Sequence, residues 1–170
     1  DRDVLSPSTP VTLTWENGQG LTFSRKVSIN DDYIFTFEDS VTSTLAGGIT
    51  LYPYGLVRRH GTPATTGMYI LHEGPLGVFD ETLTEEDYAD LRDAGANGIK
   101  VIPETAGGWV GITDKYWLAA LLPTQTKGYN FGFQSLAGNS DRYQVDFIDP
   151  NGMLLVKGGV VTNESRLFAG

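Results

Sequence analysis

His60 and His72 are the only imidazoles in a chain of 170 residues, and Glu73 directly follows the second. A histidine beside a carboxylate can serve as a general base, as in sugar epimerisation, where an acid and a base converge on a ring oxygen and an anomeric hydroxyl. The spacing supports nothing more specific. Leu76 stands where an H-E-x-x-H zinc motif needs its second histidine, and a zinc site needs at least three protein ligands. The two histidines are twelve positions apart across a Gly- and Pro-containing stretch, which fixes no mutual geometry. A hydrogen-bonded loop or strand histidine is the simpler reading of each. His60, His72 and Glu73 therefore stand as weak ligand-binding candidates, and no catalytic, cofactor-binding or metal-binding residue is predicted.

Other chemistries find less support. There is no G-x-S-x-G elbow for a nucleophilic serine. The segments AGGIT, AGANG and AGGWV lack the spacing of a phosphate-cradling loop. The carboxylate runs DD, EED and EDYADLRD read as a solvated acidic face. With no cysteine there is no disulfide framework, thiol nucleophile or thiolate metal site. The net charge of −9 and the absence of any Lys/Arg cluster longer than Arg58-Arg59 exclude a nucleic-acid binder, which must displace counterions from phosphates. An anionic bilayer would repel the same overall charge. No apolar run approaches the roughly 18 residues that span a membrane.

The elements that must position these residues are mostly strands. Residues 1–10, with Ser and Pro, read as a lead-in, and one β-sandwich domain is predicted over 11–170. VTLTW and LTFSRKVSI alternate with period two around ENGQG, a hairpin whose loop exceeds two residues. Arg25 interrupts the apolar row of Leu21, Phe23, Val27 and Ile29. YIFTFEDSVT is apolar on both faces at its start, which predicts a central strand. Pro53 within ITLYPYGLV predicts an edge strand or a bulge, and RRHGTPATTG reads as a loop. MYILHE and LGVF read as short strands around Gly74-Pro75. One helix is predicted from Thr84 to Leu91 (84–92 at its widest), with a Thr84/Asp87 capping box and a stop at Gly95. AGANG reads as flexible. GGWVGIT, YWLAALL, YNFGFQSL, RYQVDFI, GMLLVKG and VVTNES complete an all-β sandwich with this minor α element.

The stretch AGGWVGITDKYWLAALLP sets two apolar runs across a polar Asp114-Lys115 turn. Gly107-Gly108 suits a bulged entry to a strand. Trp15, Trp109 and Trp117, with Tyr52, Tyr54 and Tyr116, could form a stacking platform for a sugar or an extended peptide. Filling the space between sheets is the preferred reading, with one exposed ring left open as an alternative, and for a buried Trp109 it predicts a cost of about 3–5 kcal/mol on truncation to Ala.

Several runs taken together are more specific: GLTFSRKVSINDDYIFTFEDSV, LYPYGLVRRHGTP, GMYILHEGPLGVF, GGWVGITDKYWLAALLP, then YQVDF and the closing SRLFAG. From about Val11 to Gly170 the chain resembles the first periplasmic domain of the bacterial membrane protein insertase YidC. The resemblance implies a β-supersandwich like that of galactose mutarotases, at the periplasmic face of the inner membrane. It further implies a non-catalytic role without cofactors, contacts with the Sec translocon and its SecD-SecF auxiliary subunits, and access to nascent inner-membrane proteins through the parent protein. Insertion itself would belong to the family's transmembrane region, not to this segment. The family's first transmembrane segment and the strands that open its periplasmic domain would lie outside these residues, leaving a sheet edge able to pair with another chain. An aldose 1-epimerase-like enzyme, or a carbohydrate- or peptide-binding sandwich, is the alternative.

Overall fold

Alternation dominates the local structure, because a strand that buries one side must place every second residue there. The computed structural model describes residues 4–65, 71–94, 99–136 and 141–170. In chain order these contain β1 (Val11–Glu16), β2 (Leu21–Ile29), β3 (Ile34–Ser43), β4 (Ile49–Leu51), β5 (Tyr54–His60), β6 (Gly74–Phe79) and β7 (Thr82–Glu85). Helix α1 (Tyr88–Asp93) follows, then β8 (Ile99–Ala106), β9 (Trp109–Thr113), β10 (Leu118–Pro123), β11 (Gly128–Leu136), β12 (Arg142–Ile148), β13 (Met153–Leu155) and β14 (Val160–Ala169).

The chain divides into two units. The first comprises Asp1–Pro53 and Asn151–Leu167, the second Tyr54–Pro150 and Phe168–Gly170. In the first unit β1, β2, β3 and β14 lie side by side in that order, and β4 pairs with β13. The β1–β2 hairpin forms as the alternation predicts, with Trp15 opposite Phe23 and Val11 opposite Val27. Asn17 Oδ1 closes its loop by accepting from the backbone of Gln19 and Leu21. β3 is central, as predicted, between β2 and β14. Arg25, the break in the apolar row, faces Asp39 across the ladder and forms a two-pronged ion pair with it. That pair holds the Arg25 guanidinium pKa above its ordinary value, against the opposing effect of burial.

The second unit is a sandwich. One layer contains β10, β9, β6 and β7, the other β5, β12, β11 and β8. Between them lie Phe79, Val110 and Ile112 from the first layer and Tyr129, Phe131, Phe133, Tyr143, Val145 and Phe147 from the second, all buried. Phe79 meets Phe131 at 4.8 Å and Phe133 at 5.9 Å between ring centres, the tilted and edge-on contacts aromatic pairs favour. Tyr88 of α1 caps one side of this core against Tyr143, 4.5 Å away.

Four expectations need correction. Thr84 is not in a helix: Thr82–Glu85 pairs with β6 through a two-residue turn at Asp80-Glu81, both at positive φ, the geometry that tight hairpins use. The helix begins later, at Tyr88, with Asp87 at its N-cap making no side-chain capping bond, so the predicted capping box is absent. Gly74-Pro75 is not a separator but the start of β6; the Pro75 carbonyl accepts from Glu86 N–H at 2.9 Å, and the missing proline donor falls just past the ladder with β7. Arg58, Arg59 and His60 belong to β5, not to a loop. Tryptophan burial was also overestimated. Trp117 and Trp15 are 69% and 62% exposed, and Trp109 is only half-buried. Pro53 lies in no strand: ITLYPYGLV is broken at Tyr52-Pro53 into β4 and β5, which belong to different sheets, instead of forming the one edge or bulged strand expected. The predicted stop at Gly95, most of AGANG and residues 68–70 of MYILHE lie outside the described residues.

Gly107 and Gly108 enter β9 at φ +80° and +107°, and a Cβ on Gly108 would lie 2.5 Å from the Val78 carbonyl oxygen. Gly61, in the same unit at φ +80°, has open space around it. Gly108→Ala is expected to destabilise the protein by at least about 2 kcal/mol and Gly61→Ala by about 1 kcal/mol, as read by denaturant unfolding. Equal losses would show that close approach to β6 does not constrain the turn. Half-burial also lowers the expected cost of Trp109→Ala to about 2 kcal/mol in the same assay; a loss above about 4 kcal/mol would restore the core assignment.

Candidate functional site

The inward side of β12 is Tyr143, Val145 and Phe147, which forces Arg142, Gln144 and Asp146 onto the opposite face of the same sheet. On β5 the pleat puts Tyr54, Leu56, Arg58 and His60 on that face too, and Gln134 of β11 stands opposite Gln144. The result is a buried polar cluster linked by its own hydrogen bonds. Gln144 and Asp146 retain only 4% and 8% exposure. Asp146 Oδ2 accepts from Gln144 Nε2 at 2.6 Å, Gln134 Nε2 at 2.7 Å and Tyr54 O–H at 3.2 Å. Gln144 Nε2 also donates to Tyr54 Oη at 3.0 Å, and Arg58 Nε donates to Gln144 Oε1 at 3.0 Å. Gly132, opposite Asp146, leaves room for the carboxylate; a Cβ there would lie 2.7 Å from Oδ1.

Burial pushes the Asp146 pKa above its ordinary 3.8, only partly offset by the bonds from Gln144 and Tyr54. Burial and the neighbouring Asp146 likewise push the Tyr54 phenol up to about 12.

On the inward side of β5, Arg59 pairs with Asp114 at the start of the β9–β10 turn. This ion pair sits in a groove of about 370 Å³ whose walls include Val57, Ile112, Trp117, Leu118, Ala119 and Ala169. Neither histidine is among the donors Gln144, Gln134 and Tyr54 that engage the buried carboxylate. His72 is mostly buried, with Nε2 3.1 Å from the Pro75 carbonyl and Nδ1 3.9 Å from Asp87. His60 is exposed at the end of β5, opposite Arg142. Glu73 is half-buried next to His72 and is itself engaged in the structure. Apart from Tyr54, none of the cluster was singled out from sequence. The available signal was the alternation of RYQVDFI, whose three polar residues share one face of a core strand. No group of three or more His, Asp or Glu among the described residues is arranged to hold a metal ion. Among those residues, too, no helix is long and apolar enough to cross a membrane.

A family model for the YidC periplasmic domain matches residues 1–170. The chain belongs to the YidC periplasmic domain family. It is 44% identical over 169 residues to the membrane protein insertase YidC of Nitrobacter hamburgensis, covering 98% of this chain and 27% of that protein. With the YidC of Beijerinckia indica it shares 42% identity over 170 residues, 100% of this chain and 28% of the relative. The chain thus spans little more than a quarter of the relatives it matches. Among solved structures it is similar to a candidate aldose 1-epimerase from Klebsiella pneumoniae, with a TM-score of 0.57 at 10% identity over 94% of this chain and 50% of that one. That likeness shows the fold, a mutarotase-like sandwich as predicted, and carries no sugar chemistry with it.

Because folding raises the Asp146 pKa, the folded state holds its proton more tightly than the unfolded one, and ionisation costs stability. The parent protein should lose stability relative to Asp146→Asn as pH rises from below 3.8 through the raised value, with no further change above it. Parallel unfolding titrations of the two proteins check this. A difference independent of pH from about 3 to about 7 would contradict the burial argument.

Proposed function

We propose that this domain is a non-catalytic interaction module of a membrane protein insertase and chaperone, located at the periplasmic face of the bacterial inner membrane. In this reading it contacts the Sec translocon and its SecD-SecF auxiliary subunits, and serves nascent inner-membrane proteins through the parent protein. The carrying observation is the family match along the whole chain, joined by 42–44% identity to proteins named as insertases. Side-chain geometry supports the non-catalytic part. The buried carboxylate of Asp146 is already engaged by three donors, and the mostly buried imidazole of His72 is held against the Pro75 carbonyl, which suits both to structural bonding better than to proton transfer with a substrate. His60, His72 and Glu73 are then structural or surface groups.

Polarimetry separates this from the enzyme reading. The domain should leave the mutarotation of glucose and galactose at the buffer rate; acceleration that disappears in His72→Ala would overturn the proposal. In cells, exchanging the domain within the parent insertase for an unrelated soluble domain should slow Sec-dependent insertion while leaving the protein in the membrane. Unchanged insertion of every substrate tested would remove the accessory role.

A further inference from the structure

The tip of the β9–β10 hairpin runs from Asp114 to Trp117. Asp114 N–H donates to the Trp117 carbonyl at 2.8 Å, and Thr113 Oγ1 donates to the same oxygen at 3.2 Å, so the turn is closed tightly. Its base is held as well: Leu118 and Gly170 exchange two backbone hydrogen bonds, at 2.7 and 3.1 Å. From this fixed base Tyr116 and Trp117 project side by side, 76% and 69% exposed. Neither ring is part of the core: Tyr116 is mostly bare, and Trp117 walls one side of the groove beside Arg59 while keeping most of its own surface exposed. Asp114, the acid of the turn, is neutralised by Arg59 within the groove, which leaves Lys115 to carry the charge of the tip. Its Nζ lies 5.0 Å from the centre of the Tyr116 ring. Leu118, Ala119 and Ala169 continue the apolar surface behind Trp117.

Each ring has an apolar body and one polar atom that needs a wet partner. A projecting pair of this kind, with a lysine beside it, matches the headgroup layer of a bilayer, where ring bodies reach the acyl boundary and N–H and O–H groups stay hydrated. A protein partner would instead bring a concave surface to enclose the rings. We propose that this tip rests in the headgroup layer of a phospholipid bilayer, with Trp117 and Tyr116 at the acyl boundary and Lys115 among the phosphates. The inference rests on the reading of this domain as part of a membrane-embedded protein. Two rings supply too little apolar area for stable anchoring alone, so the contact operates under tethering, where effective concentration is high. It also reconciles a chain of net charge −9 with a lipid surface, because the contact is made by rings and one cation.

The chain has no cysteine, so a single environment-sensitive dye can be placed at will. Lys115→Cys carries the dye at the tip, in place of the cation, so that the two rings are tested alone, and Tyr33→Cys, at a site 62% exposed in the first unit, carries it as a control. Both proteins are tethered through a C-terminal histidine tag to phosphatidylcholine vesicles containing a nickel-chelating lipid. Dye emission at position 115 should rise about twofold and be quenched by spin-labelled acyl chains, with no change at position 33. Adding Tyr116→Ser and Trp117→Ser to the Lys115→Cys protein should abolish the rise. A silent probe at 115, equal responses at both sites, or a rise that persists without the rings would each overturn the proposal. The readout involves no insertion reaction, so a silent probe alongside an insertion defect on domain exchange would discard the lipid contact and leave the accessory role standing.

Discussion

One strand sets the terms for the second unit. Burying Tyr143, Val145 and Phe147 of β12 between two sheets stabilises the sandwich by roughly 1.5–3 kcal/mol per side chain, and the pleat then gives no choice about Gln144 and Asp146. They must lie on the other face, where β5 and β11 cover them. A carboxylate placed there is tolerable only if its oxygens find donors, and Gln134, Gln144 and Tyr54 provide them. Gly132 and the edge position of β5 follow from the same demand: the first leaves space for the carboxylate, and the second lets Tyr54 and Arg58 fold over the cluster.

A polar cluster on the open face of a mutarotase-like sheet invites comparison with a sugar site. Its internal wiring argues for a different use. Tyr54, Arg58, Gln134 and Gln144 all donate to other members of the cluster, so the network ties three strands together and spends these donors internally. The other conspicuous groups, Arg59 with Asp114, tie β5 to the turn of the β9–β10 hairpin. Function is then expected on surfaces, which accords with a family whose members are named for moving proteins into membranes and of whose length this domain is about a quarter.

Much of this was legible in the sequence. Alternation located β1, β2, β3 and β9 to β14 with small errors, because strands buried on one face carry the pattern directly. β8 was missed: IKVIPETA contains Pro103, and only an edge strand with a register shift opposite Tyr129 and Phe131 accommodates it. The Asp80-Glu81 turn was missed because its residues lack the Asn-Gly signature, and the acids beyond it imitated a helix start. Tyr116 and Trp117 were read as core because hydropathy records ring size and not the direction a hairpin tip faces. The cluster around Asp146 depends on pairing between strands about 90 residues apart, which no local pattern encodes.

On the reading proposed above, this domain works by touching other proteins of the insertion machinery. Site-specific photocrosslinking in intact cells tests it most directly, with a photoreactive residue placed in turn at exposed positions of the domain within the full-length parent protein. Crosslinked products containing SecD, SecF or other translocon subunits, clustered on one contiguous surface, are the predicted result. Products spread evenly over the surface, or none to translocon subunits at any position, would rule such a docking surface out.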